Sequence, residues 1–119
     1  MAQADLRQAL EKRKEITITV KGRRTGKAIS LPVWFVLEGE TLSLLPVRGS
    51  RSQWFRNVRA DPTVTVRAGR SQMTATARLV TDARGVQAVV QKFRRKYTPA
   101  DVARYYSGLD AAVQMPVGS

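Results

Sequence analysis

The stretch Glu15-Ile16-Thr17-Ile18-Thr19-Val20 alternates apolar and polar side chains, and two further apolar runs follow it, Ile29 to Leu37 and Thr41 to Val47. The apolar side chains of the first stretch would share one face of a strand and its threonines the other, which is typical of a strand with one buried face. Gly22 to Lys27 forms a turn after the first strand, and Glu38-Gly39-Glu40 turns the second into the third. This segment predicts consecutive antiparallel strands.

Hydrophobic periodicity, capping residues and glycine-containing turns predict the remaining elements. Four helices are expected: over residues 3–14, from Ser50 or Ser52 to Asp61-Pro62, over residues 82–96, and from Thr98 to Gly108. Three more strands are expected: Thr63 to Arg67, Gln72 to Val80, and Ala111 to Val117. Helices do not alternate regularly with strands, so a Rossmann sheet is disfavoured. The pattern predicts an α+β, mainly β fold, an antiparallel barrel or open sheet with helices at its ends.

The composition narrows the possible functions. The 119 residues suffice for one domain, 1–119, and 21 basic against 9 acidic side chains give a net charge of +12. Such a charge attracts polyanions: nucleic acid, anionic lipid or a phosphorylated cofactor. The chain has no Cys, which excludes a disulfide scaffold and a thiolate zinc site. It also has no His, which excludes the usual catalytic triad and nearly all transition-metal sites, so no metal is expected.

The sequence also predicts where the protein resides. No apolar run approaches the ~20 residues of a membrane-spanning helix. Charges interrupt the N-terminal residues before an apolar stretch develops, unlike in a secretory signal peptide. We therefore expect a cytoplasmic protein without a transmembrane segment.

Two cationic segments are candidate anion-binding sites. Gly22 to Lys27 combines a tight turn, whose backbone N–H groups can face an anion, with Arg23, Arg24 and Lys27. Arg48 to Asn57 combines Gly49 with the N-terminus of a predicted helix, where phosphate binds favourably. The alternatives are a solvated hairpin tip for the first segment and an ordinary capped helix with surface arginines for the second.

Aromatic residues form a third candidate site. Because neighbouring strand residues point to opposite faces, either Trp34 or Phe35 should leave the core and stack on a planar ligand, a partner chain or a terminal helix. Tyr97, Tyr105 and Tyr106 form a further aromatic group, and most of it is expected to serve packing. No carboxylate pair or nucleophile–base pair stands out, so the catalytic residues are unknown. The chain is better suited to holding a cofactor that performs the reaction.

The order of these motifs resembles the deazaflavin (coenzyme F420)-dependent nitroreductase family, a branch of the flavin-binding split β-barrel proteins related to pyridoxamine phosphate oxidase. The most specific element is the Trp-x-x-Asn-x-x-Ala-x-Pro string after an Arg-Gly loop. The matching stretches are Gly22-Arg23-Arg24-Thr25-Gly26-Lys27, Leu31-Pro32 with its aromatic strand, Gly39, Arg48-Gly49, and Gln53-Trp54-Phe55-Arg56-Asn57-Val58-Arg59-Ala60-Asp61-Pro62.

The resemblance implies a split β-barrel of about six antiparallel strands with short flanking helices, normally a homodimer, that binds F420 in a groove beside the barrel. It implies three groups of site residues: Arg24, Thr25, Lys27, Arg48 and Gly49 for the cofactor's phosphate and acidic tail; Pro32 and Trp34 for its ring; and Gln53, Trp54 and Asn57 on the helix that closes the groove.

The implied activity is hydride transfer from reduced F420 to an electron-poor small molecule of the quinone, nitro or enone type. Val47 occupies a position where a small polar residue often precedes the Arg-Gly pair, so one hydrogen bond to the substrate is missing. The alternatives are an FMN-binding protein of the same fold and a cofactor carrier without turnover. A nucleic-acid-binding domain is disfavoured because no binding signature accompanies the charge.

Overall fold

The computed structural model describes the backbone of residues 2–117 and the side chains of residues 6–117. These residues form seven strands, four α-helices and one turn of 3-10 helix at Gly49–Arg51. The strands are β1 (Glu15–Lys21), β2 (Ala28–Glu38), β3 (Thr41–Leu44), β4 (Thr63–Ala68), β5 (Ser71–Thr76), β6 (Arg78–Val80) and β7 (Ala112–Pro116). The helices are α1 (Ala2–Glu11), α2 (Gln53–Ala60), α3 (Ala83–Tyr97) and α4 (Pro99–Tyr105).

One antiparallel sheet contains all seven strands, in the order β5-β4-β1-β2-β3-β7-β6. β5 and β6 lie at opposite ends of this order, yet only Ala77 separates them in the chain. The sheet must therefore curl until its two ends meet, which produces a split β-barrel. The predicted fold class is confirmed.

The strand count differs from the prediction of about six because the run from Gln72 to Val80 divides at Ala77. The Ala77 N–H forms the last hydrogen bond of the β4–β5 hairpin by donating to the carbonyl of Pro62 at 2.8 Å. The next three residues then pair with β7, where Val80 lies opposite Ala112. One predicted strand thus supplies both ends of the curled sheet.

The apolar face of β1 points into the barrel interior, as its alternation predicts. Ile16, Ile18 and Val20 are buried together with Leu6 and Leu10 of α1. A second apolar cluster lies between β2 and α3. It contains the predicted stripe of that helix, Val86, Val89, Val90 and Phe93, all nearly inaccessible to solvent.

A sharp bend at Thr98 separates α3 from α4. Thr98 has a φ of +86°, which is uncommon for a residue with a Cβ atom. Its hydroxyl accepts a hydrogen bond from the N–H of Asp101 at 3.2 Å, and Pro99 begins α4, as the sequence predicts. The bend turns α4 back, so that tyrosines from both helices reach Trp34. Among the described residues, no helix is long and apolar enough to cross a membrane.

Candidate functional site

A groove opens along β2 because β2 is longer than its partner β3. Residues 35–38 pair with β3, whereas residues 28–34 pair only with β1. This leaves one edge of β2 without a strand partner in the described structure, and Pro32 lies within it, as its missing N–H requires. The groove, here called the β2 groove, has a volume of about 580 Å³. It is lined by Glu15, Leu31, Pro32, Val33, Trp34, Leu45, Val47, Arg48, Arg51, Ser52, Gln53, Trp54, Tyr105 and Tyr106.

Trp34 occupies one wall of the groove and is held by three tyrosines. Tyr97 stacks on the indole at a centroid distance of 4.2 Å and an interplanar angle of 8°. Tyr105 and Tyr106 meet it edge to face at 5.4 and 6.1 Å. Phe35 points into the barrel core, whereas Trp34 leaves it and packs against the second apolar cluster, so of the expected partners for the outward ring the structure shows the terminal helices. Because the indole is fixed on several sides, it can present a preformed flat surface to a planar ligand.

The tyrosine hydroxyls are weak acids in this environment. Burial raises the pKa of Tyr97 to about 12 and moves the pKa of Tyr106 in the same direction. The Tyr97 hydroxyl lies 2.6 Å from the carbonyl of Lys14 and accepts from the N–H of Phe35 at 3.1 Å. Both groups therefore stay protonated at neutral pH, where they can form hydrogen bonds and cannot act as general bases.

Lys96 lies behind this aromatic wall and does not line the groove. Its Nζ donates to the carbonyl of Phe35 at 2.9 Å and lies 3.5 Å from the centre of the Phe35 ring. Burial lowers the pKa of this amine to about 8. Lys96 stabilises the strand that holds Trp34 and has no direct access to the groove lining.

The second cationic segment lies at the groove. Arg48 and Arg51 are exposed and both line it, on either side of Gly49 and Ser50. The Ser52 hydroxyl accepts from the N–H of Arg48 at 2.9 Å, so it closes this loop instead of capping α2 through its side chain. Two guanidinium groups beside an apolar wall suit a ligand with a planar part and an anionic part.

The backbone of this loop is less open to an external anion than the sequence predicts. The Asp110 carboxylate accepts from the N–H of Ser50 at 2.8 Å and from its hydroxyl at 2.6 Å. These hydrogen bonds lower the pKa of Asp110, and Arg51 adds to the effect. The protein's own carboxylate thus occupies part of the predicted anion site, and the guanidinium groups are the donors that face the groove.

The first cationic segment lies outside the groove lining. Arg24, Thr25 and Lys27 are exposed on the turn between β1 and β2. The turn is closed by its own backbone: Gly22 N–H donates to Lys27 O, and Gly26 N–H to Gly22 O, each at 2.8 Å. The N–H of Lys27 also donates to the Thr25 hydroxyl at 3.2 Å. Few amides of this turn remain to bind an anion.

Arg23 connects this turn to the groove, a role that the sequence did not reveal. Its backbone N–H and Nη1 donate to Asn57 Oδ1 at 3.2 and 2.8 Å, and its Nη2 donates to Gln53 Oε1 at 2.8 Å. Asn57 is only 4% exposed and lies outside the groove lining, so its side chain is a buried partner of Arg23. Arg23 and Asn57 are 34 positions apart, and no local sequence signal marks such a pair.

The structure thus separates the ten predicted site residues into two sets. Five line the β2 groove together: Pro32, Trp34, Arg48, Gln53 and Trp54. The others lie outside the lining: Gly49 within the arginine loop, Asn57 beneath α2, and Arg24, Thr25 and Lys27 on the exposed turn. Arg51 and Tyr106 belong to the lining as well. Glu15 is the one carboxylate in the described lining.

Comparison with known proteins identifies the class of enzyme. A family model described as F420H(2)-dependent quinone reductase matches residues 2–117. The chain belongs to this family. The resemblance to F420-dependent enzymes is therefore confirmed, and the protein is an F420H2-dependent oxidoreductase. The matching model is named for quinone reduction, whereas the sequence motifs resemble the nitroreductases.

Solved structures agree on the fold. An F420-H2 dependent reductase is 23% identical, with a TM-score of 0.68 over 87% of this chain and 94% of that one. A protein solved as a domain-swapped dimer is 23% identical, with a TM-score of 0.69 over 87% and 80%. A Listeria innocua protein named for pyridoxamine 5'-phosphate oxidase is 13% identical, with a TM-score of 0.70 over 100% and 95%. No curated protein is significantly similar to this chain.

Proposed function

We propose that the β2 groove binds F420, with the ring of the cofactor against Trp34 and its anionic groups at Arg48 and Arg51. The observation that supports this most directly is the division of the groove into a fixed aromatic wall and a pair of exposed guanidinium groups. F420 has the matching division, since a planar deazaflavin is joined to a phosphate and an acidic tail. The exposed turn between β1 and β2 lies outside the groove lining, so its residues could contact only the part of the tail that extends beyond the groove. These residues are Arg24, Thr25 and Lys27.

The residues of the chain bind and orient the reactants. Reduced F420, when bound, supplies a hydride. Leu31, Val33 and Leu45 line the groove with apolar side chains and exclude water from the reacting atoms. The protonated hydroxyl of Tyr106 offers a hydrogen bond without changing charge. We infer that rate acceleration comes from positioning two reactants face to face.

The acceptor that best fits this groove is a quinone. Val47 and Tyr105 line the groove, yet they are 49% and 50% exposed, which is high for large apolar side chains. An apolar, planar acceptor would cover both. Val47 offers no side-chain hydrogen bond, so binding there would depend on apolar contact and stacking.

Titration of the purified protein with F420, followed by the cofactor's fluorescence, tests the proposal. We expect binding at micromolar protein in low salt, and a weaker affinity for Arg48→Ala than for Arg84→Ala, a change of equal charge on α3. Absence of binding by the unmodified protein, or equal effects of the two substitutions, would contradict the proposal.

The same titration with FMN and with duplex DNA distinguishes the alternatives. Preferential FMN binding would indicate a flavin protein of the same fold. Affinity for any DNA with a steep salt dependence, and none for F420, would indicate a nucleic-acid-binding domain. Turnover with a soluble quinone separates an enzyme from a carrier, and an enzyme is expected from the family.

We propose that the protein forms a homodimer, since one protein of similar fold was solved as a domain-swapped dimer. Light scattering during size-exclusion chromatography should then give twice the chain mass of 13.2 kDa. The monomer mass at micromolar concentration would contradict the dimer. A cytoplasmic location stays a prediction from the sequence.

A further inference from the structure

Asp110 joins two parts of the β2 groove that are distant in the chain. Its carboxylate receives two hydrogen bonds from Ser50, within the 3-10 turn between Arg48 and Arg51. Asp110 itself follows α4 closely, and α4 ends at Tyr105. The Asp110–Ser50 pair therefore connects the loop that bears both groove arginines with the segment that follows the groove tyrosines.

Further contacts bring the same two segments together. The N–H of Ser107 donates to Val47 O at 2.8 Å, and Arg48 forms a parallel bridge with Gly108. At Gly49, where φ is +60°, an added Cβ would collide with Asp110 Oδ1 and lie 2.9 Å from Gly108 O. The close approach of the two segments thus requires a glycine at this position.

The negative charge of Asp110 would be expected to oppose the binding of an anionic cofactor. An anion beside Arg48 and Arg51 weakens the field that attracts an anionic cofactor, so on charge alone its removal should tighten binding. The geometry indicates the opposite contribution. An exposed arginine loses considerable side-chain and loop freedom when it binds a ligand, and a loop held in place beforehand loses less.

We propose that Asp110 is a positioning residue, which holds the Arg48–Arg51 loop in the wall of the groove through its two hydrogen bonds to Ser50. This inference rests on the proposed binding of F420 in the β2 groove. It assigns Asp110 no contact with the cofactor and no part in the chemical step. Its contribution is to keep both guanidinium groups in place before the cofactor arrives.

Two substitutions separate position from charge. Asp110→Ala removes the charge and both hydrogen bonds, whereas Asp110→Asn removes the charge and keeps an acceptor for the Ser50 N–H. If Asp110 acts through position, the alanine variant should bind F420 about tenfold more weakly, within the range of coupling between neighbouring residues, and the asparagine variant close to normally. If Asp110 acts through charge, both variants should bind more tightly, and the proposal is wrong.

Asp61→Ala is the matched control. Asp61 also accepts a backbone N–H, from Thr63 at 3.1 Å, its pKa is also lowered, and it lies outside the groove lining. Its removal should leave the affinity for F420 unchanged.

The effect of Asp110 should also depend on the two arginines. In a protein that already carries Arg48→Ala and Arg51→Ala, Asp110→Ala should have no further effect on F420 affinity, because the groups through which it acts are absent. A full tenfold loss in that background would overturn the proposal.

A measurement without ligand makes the test independent of the proposed function. NMR order parameters for the backbone N–H groups of residues 48–51 should be near those of rigid backbone, about 0.85, in the unmodified protein and clearly lower in Asp110→Ala. Unchanged order parameters would overturn the proposal even if F420 does not bind. Absence of F420 binding with a loosened loop would instead contradict the proposed function and leave Asp110 as the residue that orders this loop.

Discussion

The two cationic glycine loops of this protein look alike in sequence and differ in their surroundings. Gly22 to Lys27 and the Arg48–Arg51 loop each combine glycine, arginine and a small hydroxyl residue. The first closes on itself through its own amides and leaves Arg24 and Lys27 exposed. The second borders the β2 groove and is held by a carboxylate 60 positions away. Composition marks both as anion-binding candidates, and the path of the sheet decides which one meets a cavity.

The largest expected difference between the loops is in F420 affinity, when two positive charges are removed from one loop or from the other. We expect Arg48→Ala with Arg51→Ala to weaken F420 binding by more than about 100-fold, because two charge-assisted hydrogen bonds of about 1.5–3 kcal/mol each would be lost. Arg24→Ala with Lys27→Ala removes the same charge and should weaken binding only about threefold, through the lost long-range attraction. Fluorescence titration at one salt concentration measures both, and equal losses would mean that the turn and the groove contribute alike.

The glycines of the two loops provide a second comparison. Both Gly26 and Gly49 have positive φ, +74° and +60°. A Cβ at Gly26 would meet nothing closer than Lys21 Cε at 3.8 Å, so Gly26→Ala should cost about 1 kcal/mol of unfolding free energy and leave F420 affinity unchanged. Gly49→Ala must also displace Asp110, so we expect a loss of about 3 kcal/mol and about tenfold weaker binding. Urea unfolding and titration of both variants check this, and similar losses would contradict it.

The link between the first loop and α2 depends on Arg23. Arg23→Ala would remove the charged donor to the buried Oδ1 of Asn57 and leave it only the backbone N–H of residue 23, which should cost about 1–2 kcal/mol of unfolding free energy. Gln53 would lose its partner too, so F420 affinity should fall a few-fold. Arg24→Ala, one position away and exposed, should leave the unfolding free energy unchanged and weaken F420 binding less than about twofold, through lost long-range attraction. Thermal unfolding distinguishes them, and equal melting temperatures would show that the link contributes nothing.

The smallest expected difference is in how the free energy of unfolding changes at acidic pH. The first loop contains no carboxylate, whereas the pKa of Asp110 beside the second lies below its ordinary value of 3.8, mainly because Ser50 donates to the ionised form. A lowered pKa stabilises the folded state above pH 3.8, and this contribution is lost as the pH falls through the folded value. Unfolding free energies measured from pH 5 to pH 2.5 should therefore fall less steeply for Asp110→Asn than for the unmodified protein. Identical slopes would mean that Asp110 and Ser50 do not interact in solution.

Local patterns predicted the elements that depend on neighbours in the sequence. The alternation in β1, the apolar stripe of α3 and the Thr98-Pro99 start of α4 were all interpreted correctly, because burial period and capping act over a few residues. The third strand ends earlier than expected, at Leu44, and the first helix ends at Glu11. Such ends depend on tertiary packing more than on pattern.

Long-range pairing explains what the sequence could not reveal. Ala77 has no unusual side chain, yet its hydrogen bond to Pro62 marks where the chain passes from one end of the sheet to the other. The pairs Arg23–Asn57 and Asp110–Ser50 join residues whose individual motifs are ordinary. The groove residues that were predicted together, such as Trp34 and Gln53, came from the family motifs, and the topology then placed them in the lining of one groove.

The bend at Thr98 has a consequence for biosynthesis. Part of the groove lining comes from residues 31–34, whereas the tyrosines that contact Trp34 and the carboxylate that is hydrogen-bonded to Ser50 follow the bend, at residues 105–110. A chain emerging from the ribosome can form β1 and β2 early, but it cannot complete the groove until residue 110 has been added. Since a ligand stabilises only the state that binds it, a ligand of the β2 groove can protect the finished molecule against proteolysis and cannot protect the nascent one.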